Sequence, residues 1–573
     1  MSDDITKDQK LNLHRRQKRA GEDFKQRRFE QWNENYEMYR DKIKRNRLTQ
    51  RQAVNIPVIR ETIKSWLSNI DEPPEMKFEG KAKGSEYRDK DIMLGELWKK
   101  FFSDNKLELL DQMDKKIVAL QGRSIKRISW NKERQFPELH IEDPYDILVP
   151  KNSDPFDFNN NDWVKRINIF KKLKDVLNNK TYDKESLKEL SMYYASKEGM
   201  IKAGESFESY EQKQQRLQVL GADMTDFFTT NDTIVELNVS YDLVWHEDVK
   251  KFVRHMRIYA ADQFLLADET LKNALGIDKI PMVTWSTDPD LIDFWNDGVA
   301  DSVRPINKVI NIYFSQDIEN RAYRNFGMFF YNTLGGKFIP KAFDPRPFGM
   351  YGLPGDPREM VQQVEIQPLS DTTPQIDFLK NLIQSSVAQT PTERGQEAGG
   401  TTTLGEIQLN LKQSTGMNSV DMKHYRKCWE DCAELFVLIL QNNQITKIKL
   451  DKKGNDNEYR SKEIGIDDWN IKEGYKCIPI FKKEKDQEDE FEIQKTQYIQ
   501  ANFADNPVAL KLARRKQLEA LGWSGEEIEQ VMSYDEQSTG MQFQDPMQDA
   551  TVDQQAMRMD QPEEQLALNQ PSM

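Results

Sequence analysis

Cysteine is nearly missing from this 573-residue sequence: there are three, Cys428, Cys432 and Cys477. So sparse and odd a set cannot form a disulfide framework and suits a reducing compartment. Cys428 and Cys432 lie one helical turn apart among Trp429, Leu435 and Phe436, a setting for core packing. Histidine is also scarce. His246-Glu247 resembles the opening of a zinc-protease helix, but position 250 is Lys, the local pattern is that of a strand, and no second ligand is in view. His14, His140, His255 and His424 are scattered without ligand spacing. No apolar run approaches the length that spans a bilayer, so no membrane contact is expected. Met1–Lys10 is polar and acidic with no apolar run behind it, so no secretory leader is expected. Catalytic signatures are missing too. There is no G-x-x-x-x-G-K-[ST] phosphate cradle, and the Gly-rich stretch Gly395–Gly405 lacks the lysine that would reach phosphates. There is no G-x-S-x-G elbow and no carboxylate pair in settings that would drive two pKa values apart. The expectation is a protein that is not an enzyme and holds no cofactor and no metal.

What is present is charge. Charged residues make up 31% and hydrophobic residues 37%, with a mean hydropathy of −0.80. The 11 Trp, 28 Phe and 19 Tyr nevertheless argue against global disorder. Length alone suggests roughly three to five structural units. Such a composition fits an elongated subunit that buries further surface against copies of itself or a partner. The net charge of −13 is not that of a sequence-specific DNA binder. It is unevenly spread. The first sixty-odd residues are basic (Arg15, Arg16, Lys18, Arg19, Arg27 and Arg28 among them) and the last forty acidic, with Arg558 nearly the only cation. Each end reads either as a solvated surface or, for the basic one, as an arm touching nucleic acid or an acidic partner.

Along the chain, residues 12–48 predict an amphipathic helix with a narrow aromatic face of Phe24, Trp32, Tyr36 and Tyr39; that face either packs on the body or stacks bases. Val58–Leu67 reads as a short helix and Tyr87–Gly122 as one longer helical stretch. Ile128–Trp130 and Leu139–Ile141 alternate around a turn-rich connection and predict a β-hairpin. Residues 163–220, rich in Lys, Glu and Gln, predict a return to helix. Val235, Leu237, Val239 and Tyr241, then Phe252, Arg254, Met256 and Ile258, predict two paired strands. Ile280–Trp285 reads as a short extended run. From about Val299 a helical period resumes, with Val303, Ile306, Ile310, Tyr313, Phe314 and Ile318 on one face and Arg321 and Arg324 near its C-terminal end. Residues 334–370 are Gly- and Pro-rich. Asp371-Thr-Thr-Pro374 then opens another helix. Leu404–Gln441 predicts a helical stretch reaching about 57 Å if continuous, with an interruption expected near Ser414–Gly416. A small β segment is expected at 445–482, helices at Glu490–Met532 with a corner at Gly522–Ser524, and a disordered or partner-ordered tail from Tyr534. No internal repeat is visible. The fold class expected is α+β, mainly α.

Several strings, in this order, resemble the portal (head–tail connector) proteins of tailed bacteriophages, particularly those of short-tailed phages. They are Asn55-Ile-Pro-Val58; Gly122 leading into Ile128-Ser-Trp130; Asp143-Pro-Tyr-Asp146; Ile280-Pro-Met-Val283 ahead of a long helix carrying Asn307 and Asn311; and helix 374–388, a Gly/Thr loop, and Thr401-Thr-Thr-Leu-Gly-Glu406 opening the longest helix. The resemblance spans about 30–535 and rests on layout. Where short-tailed-phage portals carry a Thr-Ala-Thr-Glu-like string, this chain has Thr-Thr-Leu-Gly-Glu. The resemblance implies an elongated subunit: an N-terminal wing part at 1–230, a clip-like β unit at 231–296, a stem helix at 297–330, a wing return at 331–484 with a tunnel loop at 389–403 and the long helix at 404–441, crown-like helices at 485–535, and a polar tail at 536–573. It implies Gln389, Thr390, Thr392, Arg394, Gln396, Gly399, Gly400 and Thr401 as DNA-facing loop residues, and Lys308, Arg321 and Arg324 as channel candidates on the stem.

By the same resemblance the chain would be a homododecamer at the portal vertex of the virion, made in the host cytoplasm. Its partners would be double-stranded DNA in the channel, the terminase large subunit, a head-completion or tail adaptor protein, and the major capsid and scaffolding proteins. A conduit must let a duplex slide, and a loop whose one cation, Arg394, sits between Glu393 and Glu397 would touch DNA without gripping it. Two other readings stand beside this one: another virion structural protein, such as a minor head or capsid protein, and a DNA-packaging enzyme, which would need a nucleotide or metal site.

Overall fold

A computed structural model describes residues 6–41, 56–70, 72–81, 86–195, 233–326, 328–331, 361–364, 372–386, 404–453, 459–471, 474–481 and 507–521, with isolated positions between 493 and 499 and at 531. The fold is α+β, mainly α. The chain divides into two compact units, Met1–Lys482 and Lys483–Met573.

The first unit opens with α1 (Lys7–Tyr39), whose start is fixed by a capping box. Thr6 Oγ1 accepts from the Gln9 amide and Gln9 Oε1 accepts from that of Thr6. After α2 (Val58–Asn69) and β1 (Glu75–Gly80), the stretch expected as one helix is two: α3 (Glu86–Asp104) and α4 (Leu107–Gln121). The break is side-chain chemistry at Asn105, whose amide donates to the Phe101 carbonyl (2.9 Å) and whose Oδ1 accepts from Leu139 N (3.0 Å). Lys106 then adopts a left-handed conformation, φ 51°. The hairpin β2 (Arg123–Asn131) and β3 (Phe136–Glu142) is present as expected, and β9 (Met282–Ser286) pairs with the other edge of β2.

Residues 163–220 depart from the sequence reading. They open with a strand, β5 (Trp163–Lys172), then the short helices α5 (Leu173–Leu177) and α6 (Lys184–Ala195); residues 196–232 lie outside the described set. The Lys-rich composition weighed toward helix, but β5 has neighbours on both sides, β4 (Ile147–Leu148) and β6 (Ile234–His246). With β7 (Lys251–Ala260) and β8 (Phe264–Thr270) they form one antiparallel sheet, β4-β5-β6-β7-β8. Strands of the β unit expected at 231–296 are thus shared out: three extend a sheet begun at Ile147, and β9 joins β2 and β3. A short helix, α7 (Leu271–Leu275), connects β8 toward β9.

The expected long helices follow. α8 spans Val299–Phe326 with Pro305 inside its second turn, which removes one ladder bond without ending the helix. A small antiparallel pair, β10 (Met328–Tyr331) and β11 (Val361–Val364), precedes α9 (Thr373–Ser386), which packs on α8. α10 runs unbroken through Leu404–Asn443, 40 residues or about 60 Å. The interruption expected near Ser414–Gly416 does not occur: one helical glycine costs only about 1 kcal/mol. The downstream half is held by burial of Tyr425, Trp429, Leu435, Phe436, Ile439 and Leu440. β12 (Ile448–Lys453) pairs with β13 (Tyr459–Ile464), and β14 (Tyr475–Ile480) returns to pair with β1.

The largest core joins α2, α3, α4, α8, α9 and α10 to the β2-β3-β9 sheet. Trp98, Phe101, Trp429 and Phe436 meet at its centre with ring centroids 4.8–6.3 Å apart. Cys428 and Cys432 are buried free thiols in it, as their spacing among apolar neighbours predicts, and Cys477 is a third; burial pushes Cys428 and Cys477 up to about 12. A second core packs Phe24 and Trp32 of α1 against Tyr145, Phe158 and Trp295. In the second unit the longest described element is α11 (Pro507–Ala520); the corner at Gly522 and the tail from Tyr534 lie outside the described residues.

Candidate functional site

Among the described residues, the strings that carry the portal resemblance are bonded to one another at two points. Ile56 N donates to Asn311 Oδ1 (2.9 Å), which ties the Asn55–Val58 string to the middle of α8. Ile128 N donates to Pro281 O (3.0 Å), which joins the hairpin to the Ile280–Val283 string. Asp143 caps a turn of 3-10 helix over Pro144–Asp146. Buried Lys25 of α1 donates to the carbonyls of Pro144 (3.3 Å), Tyr145 (2.5 Å) and Ile147 (2.9 Å).

Of the stem candidates, Lys308 pairs with Glu34 of α1 (2.8 Å) and Arg321 with Asp317 one turn back (2.9 Å), while Arg324 is exposed. Such surface pairs contribute little to stability. With Arg304, which pairs with Glu34 (3.5 Å) and Asp301 (3.1 Å), they do mean that three of the four cations on this helix already face carboxylates of the same chain. The candidate loop residues Gln389, Thr390, Thr392, Arg394, Gln396, Gly399, Gly400 and Thr401 lie outside the described residues.

Three buried polar clusters were not legible in the sequence. The first lies under the N-terminal half of α1. The polar positions of β6 (Glu236, Asn238, Ser240, Asp242) alternate as on a solvent face, yet all are buried. Lys10, His14 and Lys18 cover them. Lys10 pairs with Asp268 (2.8 Å), and Lys18 with Glu236 (3.1 Å) and Asp262 (2.6 Å). His14 Nε2 meets Asp262 Oδ1 (3.0 Å) and Lys165 Nζ donates to His14 Nδ1 (3.1 Å) and Ser240 Oγ (2.7 Å). Arg257 completes the set on Asp242 (3.3 Å) and Asp268 (3.2 Å). Four cations (Lys10, Lys18, Lys165, Arg257) thus stand among four carboxylates (Glu236, Asp242, Asp262, Asp268). Burial drives Lys165 down to about 8 and His14 down to about 4. Asp262 is held well below the carboxylate range, against its burial, by the His14 hydrogen bond and Lys18.

A pH dependence follows. The His14 value in the fold, about 4, lies below its ordinary 6.5, so the unfolded chain takes up the proton first. Stability present above pH 6.5 is therefore lost as pH falls toward 4. Against a His14→Gln variant, wild type should lose about 3 kcal/mol between pH 7 and pH 4. Urea midpoints across that range measure it, and parallel curves would contradict the assignment.

The second cluster sits between α4, β2, β9 and α10. Asp114, fully buried, accepts from Lys126 Nζ (2.6 Å), Ser124 Oγ (2.5 Å) and Trp285 Nε1 (2.7 Å). Beside it Asp111 accepts from Tyr425 OH (2.6 Å) and pairs with Lys115 (2.5 Å). The Lys126 ammonium lies 4.9 Å from the Trp429 ring centroid, 5.6 Å from that of Trp285 and 5.7 Å from that of Tyr425. Burial works against its charge, but Asp114 holds its pKa above the ordinary lysine value.

The third is Arg123, fully buried and bonded to neutral acceptors: Phe294 O (2.6 Å), Pro155 O (2.7 Å), Thr284 Oγ1 (3.2 Å) and Asn296 Oδ1 (2.5 Å). Burial lowers it to about 9. Five donors in a fixed fork let one side chain fasten three segments, which lysine cannot do.

A cleft of about 240 Å³ lies between β9, residues 155–159 and α10. Its cations are paired with its own acids, Lys427 with Asp431 (2.9 Å) and Lys279 with Glu434 (3.5 Å). Cys428 on its wall has its thiol pushed up by burial, so it offers no activated nucleophile. Among the described residues no group of three or more His, Cys, Asp or Glu converges as a metal site, and no helix is long and apolar enough to cross a membrane. His246 does have an imidazole neighbour: His255, from the next strand, with Nε2 atoms 2.7 Å apart. The two lie four positions apart along the β6–β7 register, in which His246 stands opposite Lys251 and His255 opposite Asp242. No protein-family model matches this chain, and no curated protein matches it.

Proposed function

We propose that this chain is the portal protein of a tailed bacteriophage, a non-enzymatic subunit of a ring, near twelve copies, through which DNA enters and leaves the capsid. The observation that carries the reading is the succession of α8, α9 and the 40-residue α10 around the segment 387–403, in the family's order of stem, wing helix, tunnel loop and kinked helix. α10 lacks the kink. The charge pattern supports the reading as well. A passive channel should hold phosphates weakly, and on α8 Lys308 and Arg321 already face Glu34 and Asp317. Val309 and Ile312 on α8 and Phe378 and Leu382 on α9 are exposed apolar side chains of the kind a neighbouring copy would cover. In the ring the chain would meet the terminase at packaging and a tail adaptor afterwards. The mass of the purified assembly tests this. A closed ring near twelve copies without nucleotide hydrolysis is expected; a monomer, or a chain that hydrolyses ATP unaided, overturns it.

A further inference from the structure

Two of the most exposed apolar side chains among the described residues stand side by side on the loop between β9 and α8: Leu291 is 85% and Ile292 81% exposed. The loop is a built turn. Ile292 N donates to Asp290 Oδ1 (2.9 Å) and Trp295 N to Asp293 Oδ1 (3.0 Å). Arg28 of α1 holds the other oxygen of Asp293 (3.0 Å), and Phe294 and Trp295 are buried directly behind. Asp288 and Asp290 flank the pair, exposed and facing no cation of the described residues. The outcome is an apolar tip with a negative rim. The outer face of α4 has the opposite character. From the cap Lys106, the residues Leu109, Met113 and Lys116 follow at i+3, i+7 and i+10, one stripe of a helix. Leu109 is 59% and Met113 56% exposed, with Leu110 and Ile117 half-buried beside them. Lys106 is exposed, Lys116 lies half-buried with its ammonium 5.7 Å from the Tyr39 ring centroid, and neither pairs with a carboxylate of the described residues. Glu108, the one exposed acid of this helix, lies off the stripe at i+2.

We propose that the Leu291–Ile292 tip of one copy seats on the Leu109–Met113 face of α4 in the next copy and anchors the contact between adjacent subunits. The inference rests on the ring reading and assigns two of its surfaces. Both surfaces stay exposed in the single chain, so neither covers the other within it. They are also different places. Gly298, at the end of the same loop, lies against the last turn of α4, whereas Met113 is about 12 Å further back along that helix. A contact between unlike surfaces repeats from copy to copy and closes a ring when the rotation permits. The chemistry matches on both counts. Two aliphatic side chains meet an apolar pair, and the carboxylates of Asp288 and Asp290 meet the ammonium groups of Lys106 and Lys116 at the rim. Charges so placed fix the register and exclude wrong partners more than they add strength. The seat is firm from below, because the buried side of α4 is fastened through Asp111 to Tyr425 (2.6 Å) and through Asp114 to Lys126 (2.6 Å).

Cysteine cross-linking of the full-length assembly is the test, and it is clean because Cys428, Cys432 and Cys477 are buried. Ile292→Cys is combined with Met113→Cys or with Leu109→Cys, and the purified assembly is oxidised mildly. At least one of the two pairs should give a ladder of covalent multimers on a denaturing gel, and wild type and each single variant should give none. Leu291→Ser with Ile292→Ser changes only exposed side chains, so it should keep the circular-dichroism spectrum of wild type yet need at least about tenfold more protein to assemble. A ring in which neither pair cross-links between chains, or one that the serine variant leaves unchanged, overturns this contact and leaves the ring reading standing. Multimers from Ile292→Cys alone would mean that like surfaces meet, and overturn it too. A wild-type chain that stays single overturns both.

Discussion

Asp114→Ala should cost the protein about 3–5 kcal/mol, the loss expected when a buried ion pair is broken from one side. Three donors depend on that carboxylate: the Lys126 ammonium and the Ser124 hydroxyl on β2, and the Trp285 indole on β9. Each is buried, so water cannot replace the lost acceptor. The surrounding rings of Trp429, Trp285 and Tyr425 attract the Lys126 cation but accept no conventional hydrogen bond from it. The damage should spread to α10, because Tyr425 and Trp429 both pack on this cluster. A paired change separates charge from packing. Asp114→Leu with Lys126→Met removes both ends, leaves no uncompensated ion, and should recover most of the loss. Urea unfolding followed by tryptophan fluorescence reads all three proteins. A single variant within about 1 kcal/mol of wild type would show that Lys126 finds another partner.

How much of this was legible in the sequence depended on whether a residue's local pattern matched its final surroundings. The hairpin of β2 and β3 was readable because alternation and a turn-rich connection agree with what the strands do. The helices α8, α9 and α10 were readable because each carries a helical apolar period, which is buried at Val303 and Ile310, at Ile376 and Ile383, and at Tyr425, Trp429 and Phe436, although Phe378 and Leu382 stay exposed. β5 was not: Lys165, Arg166, Lys171 and Lys172 count toward a charged helix by composition, and only pairing with β6 from seventy residues away makes Lys165 a buried strand residue. β6 misled in the opposite sense. Its polar alternate positions look like a solvated face, and nothing local says that a helix two hundred residues earlier brings Lys10, His14 and Lys18 to cover it. The extent of the basic N-terminal region was plain, but part of its charge is spent inside the molecule on Asp262, Glu236 and three backbone carbonyls. Arg123 and the His246–His255 pair are products of tertiary contact alone. Among the candidate channel residues, the stem cations are placed and turn out to be paired or exposed, while the loop at 389–403 lies outside the described residues.

Gly122→Ala should be the more damaging of the two substitutions, abolishing soluble expression or costing upward of about 4 kcal/mol. Gly122 closes α4 in a left-handed conformation, φ 82°, with its amide donating to Val118 O (2.8 Å). An L side chain is strained there by about 1–2 kcal/mol before any contact is considered. The contact is the larger effect. A Cβ at this position would stand 2.0 Å from Asn296 O and 2.7 Å from Asn296 C, both backbone atoms. Segment 296–298 cannot retreat, because Asn296 Oδ1 is bonded to buried Arg123 and Gly298 lies against α4 in turn, where its own Cβ would meet Ala119 O at 2.7 Å. Two stretches of bare backbone therefore cross where α4 ends and α8 begins, and that crossing sets where α8 enters the fold. Gly95→Ala is the internal control. It lies inside α3 with nothing within 4 Å of an added Cβ, so the change should stabilise by about 0.5–1 kcal/mol through helix propensity alone. Opposite responses to one chemical change, measured as thermal midpoints on the same purified protein, are the expected result. A Gly122→Ala protein as stable as wild type would mean that residues 296–298 do not cross the end of α4.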